Sequence, residues 1–159
     1  YHFISGDDFM AMDLQTRIAR AVSVKAEIVA SDERESGRRA LLNYGHTLGH
    51  AVEIETGFGI QHGEAVAIGL IYAAHLAAVM GRISSARVDE HYRVVGDEYA
   101  LSTKLPPGCD ADRMVALMGR DKKALDGLTF VLDSAHGLEI VQGVSEENVR
   151  AALSAMELR

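Results

Sequence analysis

A chain of 159 residues is long enough to bury one substantial core, and nothing in that length requires a second domain. Hydrophobic residues make up 48% and charged residues 25%, the balance of a soluble globular protein, and no uninterrupted apolar run reaches the ~18 residues of a membrane span. A net charge of −7 argues against a general nucleic-acid or anionic-membrane surface, while the lone Cys109 and the lack of a secretory pattern point to a reducing cytoplasm. The chain opens on Tyr1 without an initiator methionine and is read as a fragment of a longer polypeptide.

In chain order, Leu14, Ile18, Ala21, Val22, Ala26, Ile28 and Val29 recur at helical spacing behind Asp13, which predicts a helix from about Met12 to Ser31. Ser31 to Arg39 is almost wholly polar and reads as a charged connection into a short helix near Arg39 to Asn43. Thr47 to Thr56 is helical by composition and is ended by Gly57-Phe58-Gly59. Gly63 to Met80 is apolar on nearly every side and closes at Gly81, the pattern of a helix buried at the centre of a bundle. Ser84 or Ser85 is placed to cap a helix through about Ala100, and Pro106-Pro107-Gly108 breaks the chain before Asp110 caps another over Ala111 to Met118. Leu128 to Leu132 and Leu138 to Val141 are predicted to form a small hairpin, and Ser145-Glu146-Glu147 starts a last helix to about Met156. The expected fold is mainly α, a multi-helix bundle-like domain with one small β-hairpin near the C-terminus. No Gly-x-Gly-x-x-Gly or P-loop pattern follows a strand, so no nucleotide-binding fingerprint is carried here.

The most informative stretch is Asn43-Tyr44-Gly45-His46-Thr47-Leu48-Gly49-His50, followed by His62-Gly63-Glu64. Three of the seven histidines fall between positions 46 and 62, and neutral imidazole is both the commonest transition-metal ligand and a ready proton carrier. His46 and His50 lie at i, i+4 on one helix face with Glu53 at i+7, and a fold-back of residues 57–63 brings His62 toward them. Spacing alone does not choose between a shared metal and one ligand beside one proton carrier. Thr47 stands where a metalloprotease helix needs a glutamate, which disfavours peptide hydrolysis. Taken singly, Lys25, Glu35, Arg39 and Asn43 read as solvated surface residues, and Lys122-Lys123 as a solvated pair. His75 reads as a hydrogen-bonded core residue, and Glu53 and Glu64 as surface carboxylates or as partners that orient an imidazole.

Taken together, Lys25-Ala26-Glu27-Ile28-Val29, the run from Asp32 through Glu35, Arg39 and Asn43 to Glu53, His62-Gly63-Glu64-Ala65-Val66 and Asp121-Lys122-Lys123 resemble the C-terminal half of the 3-dehydroquinate synthase family. The resemblance covers nearly the whole chain. It implies a two-domain enzyme dependent on NAD and zinc, with cobalt able to substitute. That enzyme converts 3-deoxy-D-arabino-heptulosonate 7-phosphate to 3-dehydroquinate and phosphate in aromatic amino-acid biosynthesis, as a cytoplasmic homodimer. Residues 1–159 would be the helical zinc- and substrate-binding domain, and the NAD-binding domain would lie upstream in the same polypeptide. By position, His46 and His62 match the zinc-binding histidines and His50 a histidine that contacts substrate and relays a proton. Lys25 and Glu35 match active-site positions, Arg39 and Asn43 substrate-binding ones, and one of Lys122 and Lys123 a lysine that holds the substrate anion. The third zinc ligand in the resemblance is an upstream glutamate, and none occurs in the 24 residues before Lys25. The fragment alone is therefore expected to bind zinc weakly and to be inactive.

Three alternatives remain: another sugar-phosphate cyclase, making 2-deoxy-scyllo-inosose or an aminated analogue; more distantly, a metal-dependent alcohol or glycerol dehydrogenase; and, from a different class, a non-catalytic helical interaction module.

Overall fold

The structure, a computed structural model, describes residues 7–31, 37–120 and 127–159. Contacts divide the chain into two units, Tyr1–Leu42 and Asn43–Arg159.

In the N-terminal unit a single turn, α1 (Asp7–Met10), precedes α2 (Leu14–Ser31). Asp13 caps α2 as its position suggests: its carboxylate accepts the Thr16 backbone N–H at 3.0 Å and the Thr16 hydroxyl at 2.7 Å, satisfying donors that a helix start leaves open. No residue of α2 is buried. A 3₁₀ turn, Arg38–Asn43, then runs to the boundary of the two units. The charged connection expected over 31–39 falls largely on residues 32–36, outside the described residues.

The second unit is built around α4 (His62–Val79), which packs against α3 (His46–Glu55), α5 (Ser85–Tyr92), the hairpin strand β1 (Leu128–Leu132) and α7 (Glu146–Glu157). Ile68, Ile71, Tyr72 and Leu76 of α4 meet a core that includes Leu48, Val52, Phe130, Leu132, Val149 and Leu153, all buried. The helix is apolar on nearly every side because its neighbours cover most of it. By length and composition α4 is the one described helix long and apolar enough to cross a membrane, which a count of uninterrupted apolar residues does not register; most of it is buried inside the protein. His75, on α4, bonds the Tyr92 hydroxyl through Nε2 at 3.0 Å, the hydrogen-bonded core role expected of it.

Ser84 caps α5 and Ser145 caps α7, each accepting a backbone N–H from three residues on, and Asp110 does the same for α6 (Ala111–Arg120) through Arg113. The helix expected to run from Ser84 to about Ala100 instead changes pitch after Tyr92 into a π-helical stretch, Arg93–Glu98, where Tyr99 N–H bonds Val94 O at 3.1 Å. β1 pairs antiparallel with β2 (Glu139–Val144). β2 outlasts its expected end at Val141 because Gly143, at φ +70°, absorbs an extra residue as a bulge between the Leu128↔Val144 and Phe130↔Val141 pairs. Asp133, buried in the hairpin turn, accepts from Arg87 Nε at 2.7 Å and ties the hairpin to α5.

Candidate active site

Three glycines let α3 and α4 approach closely enough to form the site. A Cβ on Gly69 would lie 1.8 Å from Gly45 O, and one on Gly49 would lie 3.2 Å from Ala65 O. Gly45 also turns the chain at φ +80°, a conformation natural to glycine, so that α3 begins at His46. The two helices run antiparallel, with Gly45 opposite Gly69 and Gly49 opposite Ala65, so Glu53 comes to the start of α4 and meets His62.

The three clustered imidazoles converge. Ring centroids are 5.6 Å apart for His46 and His50, 5.3 Å for His46 and His62, and 6.0 Å for His50 and His62. His46 Nδ1 lies 3.2 Å from the Tyr44 carbonyl oxygen. A carbonyl only accepts, so Nδ1 carries the proton and Nε2 presents its lone pair. His62 Nδ1 donates to Glu53 Oε1 at 3.0 Å, which likewise leaves Nε2 outward. This is the arrangement by which an outer hydrogen bond fixes the tautomer and orientation of a metal-binding histidine. Burial holds His46 below the ordinary imidazole range, opposed by its bond to Tyr44 and reinforced by His50 and His62, so its neutral, ligating form prevails near pH 7.

The donor set fits a zinc-like cation: neutral imidazole nitrogens with one carboxylate in reach. Among the described residues, a group of donor atoms close enough to hold a metal differs from the pair suggested by resemblance. One ligand atom from each of His50, Glu53 and His62 lies within 4.8 Å of the others, with His46 adjoining through its ring contacts. In sequence Glu53 reads first as a surface carboxylate and only second as an orienting partner, yet it lies next to His62. The i, i+4, i+7 placement of His46, His50 and Glu53 carried that signal. Glu64 instead serves the helix start, in a capping box with Gln61.

Lys25 is exposed on α2 and Arg39 half-buried on the 3₁₀ turn, both within the N-terminal unit. Asn43 is exposed at the end of that turn, one residue before Tyr44. Glu35, Lys122 and Lys123 lie outside the described residues.

Against known proteins, the chain is 49% identical over 155 residues to a protein of Amycolatopsis mediterranei assigned as an aminodehydroquinate synthase, covering 98% of this chain and 44% of the relative. It is 44% identical over 149 residues to 3-dehydroquinate synthase of Xanthomonas oryzae pv. oryzae, covering 89% and 40%, and 45% identical over 140 residues to that of Corynebacterium jeikeium, covering 87% and 38%. The chain thus spans about two fifths of the length of these relatives. Among solved structures, a 2-deoxy-scyllo-inosose synthase complexed with carbaglucose-6-phosphate, NAD+ and Co2+ matches with a TM-score of 0.77 at 28% identity, over 89% of this chain and 41% of that one. A 2-epi-5-epi-valiolone synthase from Streptomyces hygroscopicus subsp. jinggangensis, with NAD+ and Zn2+ bound, shares the fold with a TM-score of 0.76 at 23% identity, over 99% and 46%. The model of the 3-dehydroquinate synthase C-terminal family matches residues 6–124, and the chain belongs to that family.

Proposed function

We propose that this chain is the metal- and substrate-holding part of a 3-dehydroquinate synthase, which releases phosphate from 3-deoxy-D-arabino-heptulosonate 7-phosphate and closes a carbocycle. The observation that carries the reading is the convergence of His46, His50 and His62 with the Nδ1 atoms of His46 and His62 already engaged. His46 and His62 would hold zinc through Nε2, and zinc when bound supplies Lewis-acid polarisation of a substrate hydroxyl. Glu53 orients His62, and the Tyr44 carbonyl orients His46. His50, exposed one helical turn from His46, would contact substrate and carry a proton. Lys25 and Glu35 complete the catalytic set, while Arg39, Asn43 and one of Lys122 and Lys123 grip the phosphate and carboxylate of the substrate; a guanidinium suits a bidentate hold on either group. An upstream NAD-binding domain, a glutamate there as third zinc ligand, homodimerisation and a cytoplasmic setting belong to the same reading. It is supported by the family, by the relatives' greater length and by the NAD+ and metal in the related synthases.

The test is phosphate release by the full-length polypeptide with NAD and zinc. His46→Ala and His62→Ala are expected to lower turnover on the order of 100-fold or more, beyond the loss typical of an outer-sphere partner; turnover within twofold of the parent would overturn the assignment. The isolated chain is expected to bind zinc weakly and to show no turnover. Tight stoichiometric zinc binding in a calorimetric titration, abolished by Glu53→Gln, would instead make His50, Glu53 and His62 the ligand set.

The identity with the Amycolatopsis protein, higher than that with either dehydroquinate synthase described above, favours one second reading, an aminodehydroquinate synthase. The ratio of kcat/KM for the heptulosonate phosphate and its amino analogue separates the two.

A further inference from the structure

We propose that Tyr44 and His91 form a buried positioning pair that holds the Tyr44 carbonyl where it fixes His46 with Nε2 toward the metal. The inference rests on His46 being a metal ligand. Tyr44 faces two ways: its carbonyl oxygen receives His46 Nδ1 at 3.2 Å, and its hydroxyl lies 2.7 Å from His91 Nε2, on α5, 47 residues along the chain.

The direction of each bond follows from the atoms involved. His91 Nδ1 is 2.8 Å from the Arg87 carbonyl oxygen, which only accepts, so His91 carries its proton on Nδ1. Its Nε2 therefore offers a lone pair, and the Tyr44 hydroxyl donates to it. The series runs from the Arg87 carbonyl through His91 and the Tyr44 side chain to the Tyr44 carbonyl and His46. Each histidine in it is a neutral Nδ1–H tautomer. His91 is 0% exposed and Tyr44 7% exposed, so water does not replace either partner, and a buried Nε2 left without a donor would be costly. α5 itself is anchored, because Arg87 bonds Asp133 at 2.7 Å and Glu90 at 2.6 Å. Gly45, at φ +80° and set against Gly69 of α4, holds the backbone directly after Tyr44, and the bond from the Tyr44 hydroxyl to His91 holds the same residue from its side-chain end.

A buried pair of this kind need only fill space, and the tautomer of His46 separates that role from positioning. Long-range proton–nitrogen correlation spectra of the chain at neutral pH report which imidazole nitrogen carries the proton. In the parent, His46 and His91 are expected as Nδ1–H. Tyr44→Phe keeps the ring and removes the donor; His91→Leu removes the acceptor. In both, His46 is expected to become a mixture of tautomers, and the Kd for zinc alone, by calorimetry, to weaken about tenfold. His91→Gln, whose amide oxygen can receive the Tyr44 hydroxyl, is expected to restore both readouts, and it carries the test should Tyr44→Phe fail to fold. An unchanged His46 tautomer and unchanged zinc affinity in Tyr44→Phe and His91→Leu, even with a lowered Tm, would overturn the proposal. His46→Ala keeps the two failures apart. If it leaves zinc affinity intact, the metal-site reading fails and the positioning role falls with it; if it abolishes binding while Tyr44→Phe does not, the positioning role alone is wrong.

Discussion

α2 and α4 are both eighteen residues long, and they are helical for different reasons. α4 buries Ile68, Ile71, Tyr72, Leu76 and much else, whereas α2 buries nothing and presents Leu14, Ile18 and Val22 at 64%, 55% and 62% exposure. With no residue buried, α2 draws little from packing and leans on its Asp13 cap and its own helical hydrogen bonds. α4 is stabilised by the apolar area it removes from water. The candidate site sits on the second kind of support: His62 opens α4, and His46 and His50 ride on the helix packed against it. A metal site on rigid, packed helices holds its donors more closely than one on a solvent-exposed element.

The sharpest way to break this contrast is in the α3–α4 seam. Gly69→Ala would set a methyl 1.8 Å from a backbone oxygen, and Leu76→Ala would empty a fully buried position. Urea denaturation should show a loss of roughly 3 kcal/mol or more for each, and Gly69→Ala should also weaken zinc binding by spreading His46 from His62. Acidification comes next. Burial holds His75 and His91 below the ordinary imidazole range in the folded protein. Their contribution is therefore fully present above the unfolded value of about 6.5, and is lost as pH falls from there toward the lowered folded-state values. The unfolding midpoint of the α4-centred unit should drop between pH 7 and pH 5, with a slope of at most about 1.4 kcal/mol per pH unit per histidine, while the helicity of α2, which has no histidine, should not follow it. Smaller still is the cap: Asp13→Ala should speed amide exchange several-fold in the first turn of α2 and leave α4 protection unchanged. Least of all, Ile18→Ala should change stability by less than about 0.5 kcal/mol; an effect as large as that of Leu76→Ala would mean that α2 is packed in solution.

Much of this was legible in the residues. The periodicity of α2, the all-round apolar character of α4 and the caps at Ser84, Asp110 and Ser145 are local signals, and local signals survive in sequence. The i, i+4 spacing of His46 and His50 fixes a shared face in any α-helix. Less legible were the π-helical stretch after Tyr92 and the continuation of β2 through Gly143. In the first, the chain keeps helical composition while changing pitch; in the second, Gly143 accommodates a bulge that carries the strand past Val141.

The sequence by itself determined that three imidazoles cluster between positions 46 and 62 and that the chain has the motifs of its family. Only the tertiary structure decided which nitrogen His46 and His62 present. His62 takes its orientation from Glu53, nine residues back, and His46 from a carbonyl whose own residue is tied to His91, 47 residues on. Such bonds leave no periodic trace, because they depend on how close two helices come, and here three glycines at the seam set that distance.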